Sequence, residues 1–365
     1  MATRERYAAS GKSANTMIAT PLLILAGFHL VILLVLCIDL GIFNRRIHAV
    51  TMKEAAAWSL VWIALALLFG FVGIRNFWDW WDPQNPEAGP AKSLEFITGY
   101  LVEFSLSVDN LFVFLVIFRY FAVPEKLRHR VLVYGIIGAV LLRAGFILVG
   151  AALVESFDWV LYLFALILLW TAYRLALSAE EEIDPGKNPL LRIARRFLRV
   201  VDDYQSPTFW VRREGLWHAT PLLLVLLVVE TTDVMFAFDS IPAIFGITQD
   251  AFIVYTSNIL AVMGLRSLFF LLANVLGLFR YLKIGLSAVL GFVGLKMLIE
   301  KPLGPTLDAW GIEQPQRILI SLGTIVVILS VAVIASLVAG PAEPLEHPPE
   351  ASSDVPPAGG GVESK

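Results

Sequence analysis

Nine apolar runs of about 20 residues constrain this chain before any other feature: 22–43, 55–75, 94–118, 131–154, 158–177, 219–245, 251–275, 283–299 and 316–338. As an α-helix, a run of that length crosses a hydrocarbon core of about 30 Å. Lipid offers nothing to hydrogen-bond a backbone, so each run must satisfy its own N–H and C=O groups. The expected fold is therefore all-α, a polytopic transmembrane helix bundle of about nine spans. The overall make-up agrees: 58% of residues are hydrophobic, 16% are charged and the mean hydropathy is +0.74.

Ionisable residues inside those runs carry the functional signal. Residues 230–243 read ETTDVMFAFDSIPA, which puts Glu230, Asp233 and Asp239 at membrane depth. An ionised carboxylate at a bilayer centre costs at least about 2.5–3.5 kcal/mol, so such a residue faces the protein interior and serves a function. No Lys or Arg between Leu222 and Arg266 is available nearby in sequence as a partner. The third run supplies VEFSLSVDNLFVF, with Glu103 and Asp109 near mid-membrane and Ser105, Ser107 and Asn110 adding oxygens. Arg143 lies in the fourth run and Arg266 in the seventh, and each needs an anionic partner or water. Two readings stay open: the acids bind a cation from outside the chain, or they form internal ion pairs with Arg143 or Arg266. Carboxylates, amides and hydroxyls, with Ser240 and Asn258 in supporting positions, make a hard-oxygen donor set. Such a set suits magnesium, calcium or manganese rather than copper or zinc. Asp39, at the end of the first run, is either an interfacial partner of Arg45 or Arg46, or a gate or second ion site.

The runs also imply an internal repeat. Asp109 maps to Asp233, Arg143 to Arg266 and Arg174 to Lys296 at a nearly constant offset, while a competing register pairs Glu103 and Asp109 with Asp233 and Asp239. A repeat of three spans must invert in the membrane, and transporters built this way place polar sites near the midplane. Along one helix Glu230 and Asp233 share a face, whereas Asp239 is turned away from Glu230. A break at Pro242 is expected to re-aim it and to free the Phe238 carbonyl.

This gives seven segments: an outer N-terminal tail (1–21), two peripheral helices and an outer loop (22–93), a first three-helix repeat (94–177), a cytoplasmic connector (178–218), a second repeat (219–300), a last span (301–340) and a disordered Pro-rich tail (341–365). Lys and Arg concentrate in the loops of one side, above all in 178–218, which places that side in the cytoplasm, the N-terminus outside and the C-terminus inside. The basic stretch NPLLRIARRFLRV in the connector is either an amphipathic helix on anionic lipid or a solvated link. The first run is too long for a signal peptide's apolar core. The single cysteine, Cys37, excludes an internal disulfide. The net charge of −3, without a basic domain, gives no sign of nucleic acid as a partner. No nucleophile–base pair or nucleotide loop suggests an enzyme.

The motifs AAAWSLVWIALALLF, EFSLSVDNLFVF, ETTDVMFAFDSIPAIF and FIVYTSNILAVMGLRSLFFLL together resemble the TerC family of integral membrane proteins, over roughly residues 20–300, and most of all its Alx-like branch. That resemblance implies a core of six helices and manganese(II) efflux across the inner membrane, with Glu103, Asp109, Glu230, Asp233 and Asp239 at the metal site and Asn110 beside them. The implied partners are the lipid bilayer and a divalent metal ion, with no permanently bound cofactor. The alternative is a membrane scaffold in a metal- or tellurite-stress complex, its acids and arginines forming structural ion pairs. The sequence leaves the oligomeric state open.

Overall fold

The computed structural model describes residues 14–41, 51–82, 85–177, 186, 188–201, 204, 208–213, 215–272 and 281–340. The expected tail 341–365 and most of the N-terminal tail lie outside the described residues.

The described chain is almost entirely helical. Helix α1 (Ala14–Gly41) is followed by α2 (Met52–Leu68), which runs through a π-helical turn, Phe69–Ile74, into α3 (Arg75–Trp81). The long helices α4 (Gly89–Tyr120) and α5 (Glu125–Ser156) and the shorter α6 (Val160–Leu177) complete the first half. In the connector, α7 (Pro189–Phe197) precedes an antiparallel hairpin, β1 (Trp210–Arg213) with β2 (Leu216–Ala219). The second half is α8 (Pro221–Phe245), α9 (Ala251–Met263), α10 (Leu265–Leu272), α11 (Leu282–Ala309) and α12 (Gln314–Ala339).

Eight spans are long and apolar enough to cross a membrane among the described residues. The first expected span lies in α1, a helix of 28 residues whose described apolar stretch is Leu23–Ile38. The expected seventh span is α9 and α10 in succession, joined at Gly264, and it is the most buried of the eight. The hairpin was not foreseen. Gly215 at φ +80° makes its turn, a left-handed conformation that glycine adopts without a Cβ penalty. The connector's basic stretch forms α7, with Asn188 Oδ1 accepting from the Leu190 and Leu191 N–H groups at 2.9 and 3.2 Å. That cap meets two of the donors a helix start leaves unpaired.

Helix α8 also departs from expectation. It stays α-helical through Pro242 and ends at Phe245, with Gly246 as its cap. A proline costs most in a helix interior; here less than one turn remains after it, so the chain ends the helix rather than unwinding it.

Packing is closest where α6 meets α11, α4 meets α9 and α5 meets α8. Gly99 lets α4 approach both α8 and α9: a Cβ there would lie 3.1 Å from Ser257 Oγ and 3.3 Å from Ile244 Cγ2. One turn further along α4 is Glu103. Gly99→Ala should therefore be tolerated, whereas Gly99→Leu should cost at least about 1–3 kcal/mol through overpacking; thermal unfolding of the two detergent-solubilised variants checks this order.

Candidate functional site

Near the middle of four spans, α4, α5, α8 and α9, polar side chains converge. Arg143 of α5 is fully buried, Glu103 of α4 likewise, and Asp233 of α8 is 2% exposed. The guanidinium grips Asp233 with both prongs, Nε donating to Oδ2 at 3.1 Å and Nη2 to Oδ1 at 3.0 Å. Its Nη1 donates to Glu103 Oε1 and approaches Asn258 Oδ1 at 3.3 Å and Ser240 Oγ at 3.5 Å. Ser240 can contribute because it lies seven residues, or two helical turns, beyond Asp233 on the same face of α8. A planar fork bonded to carboxylates is the strong form of this interaction.

The cluster is not saturated. Glu103 Oε2 and Asn258 Nδ2 are buried without a hydrogen-bond partner, as are Ser107 Oγ and Asn110 Nδ2 further along α4. Two carboxylates against one guanidinium leave a formal charge of −1 among the fully buried members. A small cavity adjoins it, lined by Gly135, Ala139, Asp233 and Arg266 among others.

The remaining predicted residues are placed apart from this centre. Glu230, one turn before Asp233, is half-buried, within electrostatic reach of that acid, and has Oε2 buried without a partner. It presses against Gly138 of α5, where a Cβ would clash with its carboxylate. Asp239 points elsewhere, as helical geometry requires: its Oδ1 accepts from Thr171 Oγ1 of α6 at 2.7 Å, with Arg174 in electrostatic reach. Because α8 does not unwind at Pro242, the expected re-aiming of Asp239 does not occur. Asp109 is half-buried and faces the charge of Lys283 at the start of α11. Arg266 joins His129 Nε2 of α5. The side chain of Asp39 lies outside the described residues. Among the described residues no three His, Cys, Asp or Glu side chains come together in a group able to hold a metal ion.

Sequence reasoning passed over three participants. Thr171 had no signal beyond a hydroxyl in an apolar run, and His129 none beyond its place near a helix start. Glu95 was legible: it is an acid in the third run, three residues after Lys92. Lys92 Nζ donates to its Oε2 at 2.8 Å and lies 3.6 Å from Asp250 Oδ2, while Thr248 also donates to Glu95. This second polar cluster ties the start of α4 to the link between α8 and α9.

Residues 88–343 match the model of the family described as "Integral membrane protein TerC family". Among curated proteins, the Escherichia coli (strain K12) protein named "Putative membrane-bound redox modulator Alx" is 50% identical over 285 residues, covering 77% of this chain and 87% of that protein. An uncharacterized membrane protein of Myxococcus xanthus is 44% identical over 331 residues, 91% and 95% of the two chains. One of Rickettsia bellii is 37% identical over 273 residues, 75% and 87%. No solved structure matches.

The cluster makes a direct prediction about stability. Arg143→Met leaves two buried carboxylates without a counter-charge and should cost about 3–5 kcal/mol, whereas removing all three charges together in Glu103→Gln, Arg143→Met, Asp233→Asn should recover most of that loss. Melting temperatures of the two purified proteins decide it.

Proposed function

Because the chain belongs to the TerC family of integral membrane proteins, we propose that it exports a divalent metal ion, manganese(II) foremost, across the inner membrane in exchange for protons. The observation that carries the reading is the residual charge at mid-membrane: carboxylates from α4 and α8 meet there across one arginine, Arg143, and among the described residues one carboxylate oxygen has no partner. Charge left unbalanced in lipid is costly and must be met by a cation or a proton. A site able to take either one in turn can couple their movements. Oxygen donors from side-chain carboxylates, an amide and a hydroxyl suit a hard divalent ion.

The convergence of Glu103 and Asp233 on one guanidinium supports the register in which these two acids are equivalent, with Asp109 and Asp239 as the corresponding second pair. In that arrangement 94–177 and 219–300 are inverted repeats. The outer acids Asp109 and Asp239, each half-buried and each near a basic residue, would be way stations on opposite sides of the centre. The N-terminus is outside and the C-terminus cytoplasmic in this reading.

A second reading has its own support. The bidentate Arg143–Asp233 pair is also what a structural ion pair looks like, and a membrane scaffold in a stress-response complex would need nothing more. The redox role in the relatives' printed name would need partners outside this chain if it ran through thiol–disulfide exchange, since one cysteine forms no internal disulfide.

Transport separates the readings. Purified protein in liposomes should carry manganese(II) down its gradient, and Asp109→Ala or Asp239→Ala should slow it about 10–100-fold, the loss of one charged contact worth about 1.5–3 kcal/mol. Influx followed with an entrapped metal-quenched dye is the measurement. Unchanged rates in both variants would leave the scaffold reading.

A further inference from the structure

We propose that Arg143 is a built-in competitor of the substrate: its guanidinium holds the cation position between Glu103 and Asp233 and yields it by moving one helical turn to Glu230. This inference rests on the exporter reading and adds how the site empties and refills.

Three observations carry it. The acceptors around the guanidinium are oxygens drawn from three helices: Glu103 of α4, Asp233 and Ser240 of α8 and Asn258 of α9. A small hard cation would use the same set, so arginine and metal cannot both occupy it.

A second seat stands ready on the chain. Glu230 lies three residues before Asp233 on the same face of α8, and its Oε2 is buried with no hydrogen-bond partner. An unpaired buried acceptor is costly, more so when charged, and an arriving guanidinium removes that cost. Gly138 admits the Glu230 carboxylate against the helix that bears Arg143.

The path of the movement also runs over small residues. A long helical side chain leans toward its helix N-terminus, which carries Arg143 over Ala139 and Gly135, four and eight residues earlier on α5. Both small residues line the cavity beside Asp233.

Charge closes in the same arrangement. Glu103, Asp233 and Glu230 contribute −3; Arg143 at +1 and one divalent cation at +2 bring the sum of these groups to zero, while Arg266, which lines the same cavity, is bonded to His129. With the metal gone the same set carries −2, which two protons neutralise. The exchange would then be one divalent ion for two protons, with Arg143 returning to the centre as the metal leaves.

The test is manganese(II) binding to the purified full-length chain in detergent, read from loss of the free-ion electron paramagnetic resonance signal. Arg143→Gln removes the competitor and should tighten binding about tenfold, as expected when the binding-competent state is only about a tenth populated in the parent. Glu230→Gln removes the second seat and should weaken binding by a similar factor, but only while Arg143 is present. In the double variant the Glu230 effect should vanish, since the acid acts through the arginine. Weaker or unchanged binding in Arg143→Gln overturns the proposal, as does a Glu230→Gln effect that persists in the double variant, which would make Glu230 a direct ligand. If Arg143→Gln does not survive purification, Arg143→Lys takes its place: lacking the planar fork, lysine grips Asp233 less firmly and binding should again tighten, with unchanged or weaker binding overturning the proposal. A parent chain that neither binds manganese(II) nor carries it into liposomes sinks the exporter reading itself; normal transport with unshifted variants sinks only the exchange.

Discussion

The arginine at the centre of the bundle sets the terms for the rest of the structure. Removing an ion from water costs several kcal/mol even after the protein relaxes, and attraction within a pair repays this only when the geometry is good and remaining polar atoms are met. Arg143 satisfies the first condition with a two-pronged grip on Asp233 and a third bond to Glu103. It only partly satisfies the second, because Glu103 Oε2 and Asn258 Nδ2 lack partners. The helices must hold this arrangement against its tendency to hydrate, and they do so by close approach. Gly99 seats α4 against α8 and α9, and Gly138 seats α5 against Glu230.

Much of this was legible from residue order. Runs of apolar residues specified helices and their approximate limits because a lipid-embedded backbone has no other solution of comparable simplicity. The acids at Glu103 and Asp233 stood out because charge at that depth is rare. Their partner was among the two candidates named, Arg143 or Arg266, but sequence could not choose between them. Arg266 turned to His129 instead, a pairing set by the packing of α5 against the α9–α10 break and invisible to spacing along the chain.

Asp239 shows where a correct local argument met a wrong remedy. Helical period put it on the far side of α8 from Glu230, and it is there, bonded to Thr171. Pro242 was expected to open the helix and swing it inward, but a proline within the last turn removes a hydrogen bond where the helix is already ending. The second polar cluster, of Lys92, Glu95, Thr248 and Asp250, was readable only at Lys92 and Glu95; its other half comes from a link more than 150 residues away.

A structural salt bridge and a transport site differ in the consequence of opening the pair. A purely structural pair gains most when every polar atom is met, since each one left over costs free energy without return. Three of the ten buried polar atoms left without a partner among the described residues gather here: Glu103 Oε2 and Asn258 Nδ2 belong to the cluster itself, and Glu230 Oε2 lies one turn along α8. The two carboxylate oxygens among them can carry a negative charge, which a neutral dipole cannot. That combination weakens the case for a fixed strut and strengthens the one for a site whose arginine has a rival, because unmet anionic oxygens beside a buried cation are a cost unless another positive species takes its turn there.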